Sequence, residues 1–102
     1  MAKDLDHEFF LGFIRLHILH HASKEEVYGM EFREELARHG YEISFGTLYP
    51  MFHRLEKAGF IVSRTAPAGG KVRRYYRATK MGLAALAEAK ARARELVDEL
   101  FE

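Results

Sequence analysis

Apolar residues crowd the first part of the chain in a run that has no polar side. Eight of the eleven residues from Phe9 to Leu19 are apolar. At 3.6 residues per turn they cover most of a helix circumference. The pattern predicts a first helix from about Asp6 to His21, capped by Asp4 or Asp6, with Glu8 at the positive end of its dipole. A helix apolar nearly all round needs cover on more than one side. In a chain of 102 residues, one side is expected to meet the domain core and the other a second subunit.

A polar break at Ser23-Lys24-Glu25-Glu26 precedes a second helical pattern, from Val27 or Tyr28 to His39, with Gly40 as its stop. Met30, Phe32 or the stem of Arg33, Leu36 and Ala37 are expected on its buried side. Tyr41-Glu42-Ile43 is a short connection. Ser44 then offers an N-cap for a third helix that runs to Ala58 and stops at Gly59. Leu48, Phe52 and Leu55 stand at i, i+4 and i+7 and mark its core face. After Gly59 the period shortens to two. Phe60 to Arg64 reads as a strand, Ala66-Pro67-Ala68-Gly69-Gly70 as a turn, and Val72 to Ala78 as the partner strand. Alternation puts Val72, Tyr76 and Ala78 inward and Arg73, Tyr75 and Arg77 outward. Arg74 shares the inward parity but lies close enough to the tip to reach out. Thr79 caps a last helix from Lys80 almost to the end.

The order α-α-α-β-β-α, mainly α with a small β component, joins two short helices by a tight turn and adds a basic hairpin. That is the winged helix-turn-helix arrangement. Residues 1–79 form the winged domain and 80–102 a C-terminal helix. In that helix Leu83, Leu86, Lys90, Ala93, Val97 and Leu100 recur in steps of three and four, a heptad-like stripe slimmed by neighbouring alanines. Together with the first helix it is expected to make a homodimer. Phe9, Phe10, Phe13, His17, Leu86, Ala93, Val97, Leu100 and Phe101 are the interface candidates.

Charge sharpens this picture. The net charge is only +1, yet between Glu56 and Glu88 there is no acid and there are seven bases: Lys57, Arg64, Lys71, Arg73, Arg74, Arg77 and Lys80. A localised basic stretch on a balanced surface suits a polyanion such as double-stranded DNA. With Leu48 pointing inward, Gly46, Pro50, His53 and Lys57 fall on the opposite face of the third helix, flanked by Tyr49 and Arg54. These groups suit base edges and phosphates in a major groove. Pro50 cannot donate to the Gly46 carbonyl, so a loosened or kinked first turn is expected. That would free N–H groups from Ser44 to Thr47 for a phosphate. On the wing, Arg64, Gly70, Lys71, Arg73 and Arg77 are assigned to the sugar-phosphate backbone.

Other classes lose ground. There is no cysteine, so disulfides and thiolate metal sites are excluded. His17 and His21 are spaced i, i+4 with His20 beside them, but the sequence completes no tetrahedral set. No phosphate loop, nucleophile elbow or convincing carboxylate pair is present. No enzyme, metal or cofactor is expected. The acidic N-terminal segment and the absence of a long apolar run point to a soluble cytoplasmic protein without a membrane partner. A winged-helix module that binds protein instead of DNA stays open as the alternative.

Two stretches resemble a known family. Gly46-Thr47-Leu48-Tyr49-Pro50-Met51-Phe52-His53-Arg54-Leu55-Glu56-Lys57-Ala58-Gly59 is similar to the recognition-helix signature of PadR-like regulators. Arg73-Arg74-Tyr75-Tyr76-Arg77-Ala78-Thr79, followed by Gly82, resembles their wing strand and the start of the next helix. Tyr28-Gly29-Met30-Glu31 stands where the family usually shows His-Gly-Tyr-Glu. The length resembles shorter members, which dimerise through the first and last helices. The resemblance implies a repressor that binds a pseudo-palindromic operator as a dimer and is released by a small aromatic or cationic ligand or a stress signal. Some short members hold such ligands between tryptophans. This chain has no tryptophan, so Phe9, Phe10, Phe13 and Phe101 are left to line such a cavity or, as the favoured reading, to serve as plain packing.

Overall fold

The computed structural model describes residues 2–102, with side chains from Leu5 onward. Its elements are α1 (Ala2–Lys24), α2 (Gly29–Arg38), α3 (Phe45–Lys57), β1 (Ile61–Ala68), β2 (Lys71–Ala78) and α4 (Lys80–Leu100). The order is the one the pattern predicts.

Helix α1 is longer than its apolar run. Asp4 and Asp6, expected at its cap, lie inside it, and Ser23 and Lys24 fall in its last turn. The Ser23 hydroxyl donates to the His20 carbonyl at 2.5 Å, so the serine satisfies itself within the helix and does not break it. Ile14, Ile18, Leu19 and Ala22 turn inward. They meet Phe32 and Leu36 of α2, Leu48, Met51, Phe52 and Leu55 of α3, Ile61, Tyr76 and Leu86. The Phe52 ring stacks on Tyr76 at 4.4 Å and meets Phe32 edge-on at 5.9 Å. Each such ring contributes on the order of 1.5–3 kcal/mol by burial.

Helix α2 is narrower on its buried side than expected. Phe32 and Leu36 are buried, but Met30 and Ala37 are exposed. Ala37 is rotated by about 100° from Leu36 and Met30 by about 200° from Phe32. A ten-residue helix at the edge of so small a core is covered along one stripe only.

Helix α3 starts as its cap residue dictates. The Thr47 N–H donates to Ser44 Oγ at 3.2 Å, and the Leu48 N–H reaches the Ser44 carbonyl at 2.9 Å. The helix runs unbroken through Pro50, contrary to the loosened turn expected. Pro50 removes one donor, the one owed to the Gly46 carbonyl, and the cap has already taken the Thr47 amide. Leu48, Phe52 and Leu55 are buried as predicted, and Met51 completes the stripe.

The hairpin is longer than the breaker-rich segment suggests. Its strands pair from Ile61 with Ala78 to Ala68 with Lys71. Only Gly69 and Gly70 turn, at φ 56° and 80°, the two left-handed residues a tight two-residue hairpin turn needs. Pro67 is tolerated because both strands of a two-stranded sheet are edges. Val72, expected in the core, is 76% exposed because the strands outrun the domain, and only their base, at Ile61, Tyr76 and the half-buried Ala78, reaches the core.

Helix α4 is locked at its start. Thr79 accepts from the Gly82 N–H at 3.1 Å and donates to the Gly59 carbonyl at 2.6 Å. A side chain on Gly82 would overlap the Phe60 carbonyl oxygen, so only glycine lets α4 sit this close to the strand. Leu86, an interface candidate, is buried in the core of its own chain. From Ala91 onward every residue of α4 is exposed. Among the described residues no helix is long and apolar enough to cross a membrane.

Candidate nucleic-acid interface

The outward face of α3 carries the side chains the sequence assigns to it. Gly46, Thr47, Tyr49, Pro50, His53, Arg54 and Lys57 are all exposed, while Leu48, Met51, Phe52 and Leu55 are buried. Ser44 is exposed as well, with its hydroxyl engaged by Thr47. The face has hydrogen-bonding groups, two fixed cations and no carboxylate.

The wing is held to α3 and to the start of α2 by separate contacts. Glu56 Oε2 accepts from the N–H and the hydroxyl of Ser63, at 2.9 and 2.7 Å, which fixes β1 against α3. Arg74 Nη1 donates to the same Ser63 hydroxyl at 2.9 Å. Val27 and Tyr76 exchange backbone hydrogen bonds at 2.8 Å, a bridge that ties the segment before α2 to β2. Beside it Tyr28 meets Tyr75 edge-on at 5.6 Å. The next residue, Gly29, packs against the Tyr49 ring. A continuous path of contacts thus runs from Tyr49 through Gly29 and Tyr28 to the wing.

The wing bases divide into two groups. Lys71 and Arg77 are exposed, with no carboxylate in ion-pair distance among the described residues. Arg64 and Arg73 are engaged. Arg64 makes a two-point ion pair with Glu26, at 2.6 and 2.7 Å. The hydrogen bond from Arg64 holds the Glu26 carboxyl below its ordinary value. Arg73 is half-buried, with its guanidinium 4.0 Å from the centre of the Tyr28 ring. Gly70 sits exposed at the tip.

Sequence reading missed Glu26, Tyr28 and Arg33. Arg33 Nε donates to the Ile43 carbonyl at 2.9 Å, and its guanidinium covers Phe45 at 4.6 Å, so it braces the connection between α2 and α3. It also missed Arg15, which lines a cleft of about 240 Å³ between α1 and α3 together with Gly46, Thr47, Pro50 and Arg54. One signal was available for Arg15: it is the one arginine inside the apolar run of the first helix.

The interface candidates fall into two sets. Phe9, Ala93, Val97, Leu100 and Phe101 are exposed, Phe101 to 84%. Phe10, Phe13 and His17 are half-buried. Phe13 lies edge-on to His17 at 4.5 Å and to Tyr41 at 5.4 Å, and Phe10 lies 6.0 Å from Tyr41. Burial, and then the proximity of His21, pushes the His17 imidazole below its ordinary value.

Comparison with known proteins gives a family and the same fold. The model of the transcriptional regulator PadR-like family matches residues 18–88. The transcriptional regulator Rv3488 of Mycobacterium tuberculosis is 50% identical over 94 residues, 92% of this chain and 88% of that protein. A PadR family transcriptional regulator from Eggerthella lenta superposes with a TM-score of 0.83 at 34% identity, covering 97% of this chain and 88% of the other. A PadR-like regulator from Bacillus cereus does so with a TM-score of 0.74 at 33% identity, over 89% and 93% of the two chains.

Proposed function

The chain belongs to the PadR-like family of transcriptional regulators, and from that membership we propose that it binds a pseudo-palindromic DNA operator as a homodimer and represses there. The observation that carries the reading is the continuity of two surfaces: the carboxylate-free face of α3 and the basic wing, joined through Tyr28 and Gly29. Tyr49, His53, Arg54 and Lys57 are assigned to the major groove, with Gly46 and Pro50 permitting close approach. Ser44 and Thr47 lie at the positive end of α3, where a phosphate is favoured. Arg64, Gly70, Lys71, Arg73 and Arg77 are assigned to the backbone beside it.

The dimer is supported by the unpartnered length of α4. Val97, Leu100 and Phe101 expose apolar side chains on a helix whose last ten residues are all exposed, and Phe9 is exposed on α1. Release by a small aromatic ligand is supported by a cleft of about 210 Å³ between α1 and α4, lined by Phe13, Leu16, His17, His20, Leu86 and Lys90; with Lys90 and no carboxylate in its lining, the cleft does not favour a cationic one. An electrophoretic shift with unrelated duplex at low salt tests the class. Retardation that vanishes as salt rises is expected. No retardation at any salt would instead favour a protein-binding module.

A further inference from the structure

Gly29 opens α2, yet no backbone angle requires a glycine there. The glycines with positive φ are Gly40, Gly59, Gly69 and Gly70. In a helix glycine is poorer than alanine by about 1 kcal/mol. What Gly29 supplies is space. An ideal Cβ on it would stand 2.7 Å from Cε1 and Oη of Tyr49 and 2.9 Å from Cζ, well inside van der Waals contact. Tyr49 also stacks on Phe45 at 5.3 Å and 22°. Phe45 is backed in turn by the Arg33 guanidinium. The phenol thus has two neighbours that fix its place, Gly29 at the start of α2 and Phe45 on its own helix.

We propose that Gly29 is a specificity-determining residue that acts through Tyr49. By carrying no side chain it lets the phenol lie against the start of α2, and so sets which group on the DNA the hydroxyl meets. The inference rests on the reading of α3 as the helix that reads bases. The atoms in conflict with a methyl group at position 29 are the far end of a side chain that is 47% exposed. The ring can swing outward while the backbone stays in place. Alanine is also a better helix residue than glycine, so Gly29→Ala is expected to fold with an unchanged or higher melting temperature.

The test carries Gly29→Ala, Tyr49→Ala and the double variant through selection from a random duplex library, with a melt and a salt titration of each. Gly29→Ala is expected to change preference at the base positions that Tyr49→Ala relaxes, by roughly 5- to 150-fold, the size of one good base contact. Its salt slope is expected to match the parent's, and in the Tyr49→Ala background it is expected to do nothing further. An unchanged profile for Gly29→Ala beside a changed one for Tyr49→Ala would overturn this inference alone. So would an equal effect of Gly29→Ala with and without Tyr49, or a Gly29→Ala protein that does not fold. An unchanged profile for Tyr49→Ala would overturn both this inference and the assignment of Tyr49 to the bases.

Discussion

Glu26 and Arg64 meet in a two-point ion pair, Nη2 to Oε1 at 2.6 Å and Nε to Oε2 at 2.7 Å. It joins the segment before α2 to the first strand of the wing. A phosphate that recruits Arg64 competes with this carboxylate for the guanidinium charge. Glu26→Gln keeps the shape and removes the competing charge. The variant is expected to bind duplex DNA more tightly at low salt. Its slope of log affinity against log salt should be steeper by ~0.9 for each further phosphate that the protein neutralises. Its melting temperature should stay near the parent's, since exposed pairs add little stability. A slope identical to the parent's would mean that Arg64 stays off the backbone.

Lys71 and Arg77 are the exposed wing bases with no side-chain hydrogen bond or ion pair among the described residues, and they bear the plainest test of backbone contact. Replacing either with Ala in both subunits of a dimer leaves about two fewer phosphates neutralised, so the salt slope should become shallower by about 1.8. Binding should weaken alike on operator and on unrelated duplex, because phosphates carry no sequence. Arg73→Ala makes a useful contrast. It also removes the stack on Tyr28, so it should lower the melting temperature as well. A loss confined to the operator would assign the altered residue to bases.

Much of this architecture is legible in the sequence because its signals are local. Ser44 and Thr79 cap the helices they precede, Gly59 ends α3, and the spacing of Leu48, Phe52 and Leu55 gives the core face. The outward face of α3 follows from that spacing by rotation alone. The ends of α1 were not legible, because Ser23 bonds back into the helix it was expected to break. Hairpin length was hidden because Pro67 reads as a breaker but is harmless at an edge. Contacts that shape the wing lie far apart in sequence, as with Glu26 and Arg64 or Tyr28 and Tyr75. No periodicity reports such pairs.

Acid should loosen the α1–α4 region. His17 and His20 are both pushed below the usual 6.5, first by burial and then by the proximity of His21. Well above 6.5 folded and unfolded chains are both neutral at these rings, and no stability is lost. As pH falls below 6.5 the unfolded chain takes up protons first, so stability declines. Lys24 and Lys90 act on His20 in the same direction, and Glu35 opposes the effect at His17. A melting temperature that drops between about pH 7.5 and pH 5.5 is expected, with a smaller drop in the His17→Gln, His20→Gln variant. An equal drop in both proteins would place the effect elsewhere.

Leu100 is 67% exposed at the end of α4, beside Val97 and Phe101. Sedimentation at micromolar concentration is expected to give twice the mass of 11.8 kDa, and Leu100→Asp to shift the protein towards monomer while its melt remains cooperative. Operator affinity should fall with it, because two half-sites are then no longer held at fixed spacing. A parent protein that sediments as a clean monomer would contradict the assignment of this surface.

Selection of bound sites from a random duplex library tests the central claim most directly. A dimer that reads DNA with paired α3 helices should enrich an inverted repeat. Its half-sites should lie about one helical turn, roughly 10–10.5 base pairs, or a multiple of it apart. Tyr49→Ala or His53→Ala should relax base preference within the half-sites and leave their spacing unchanged. Recovery of no common sequence, or of a site without twofold symmetry, would contradict the account of this protein as a dimeric operator-binding regulator.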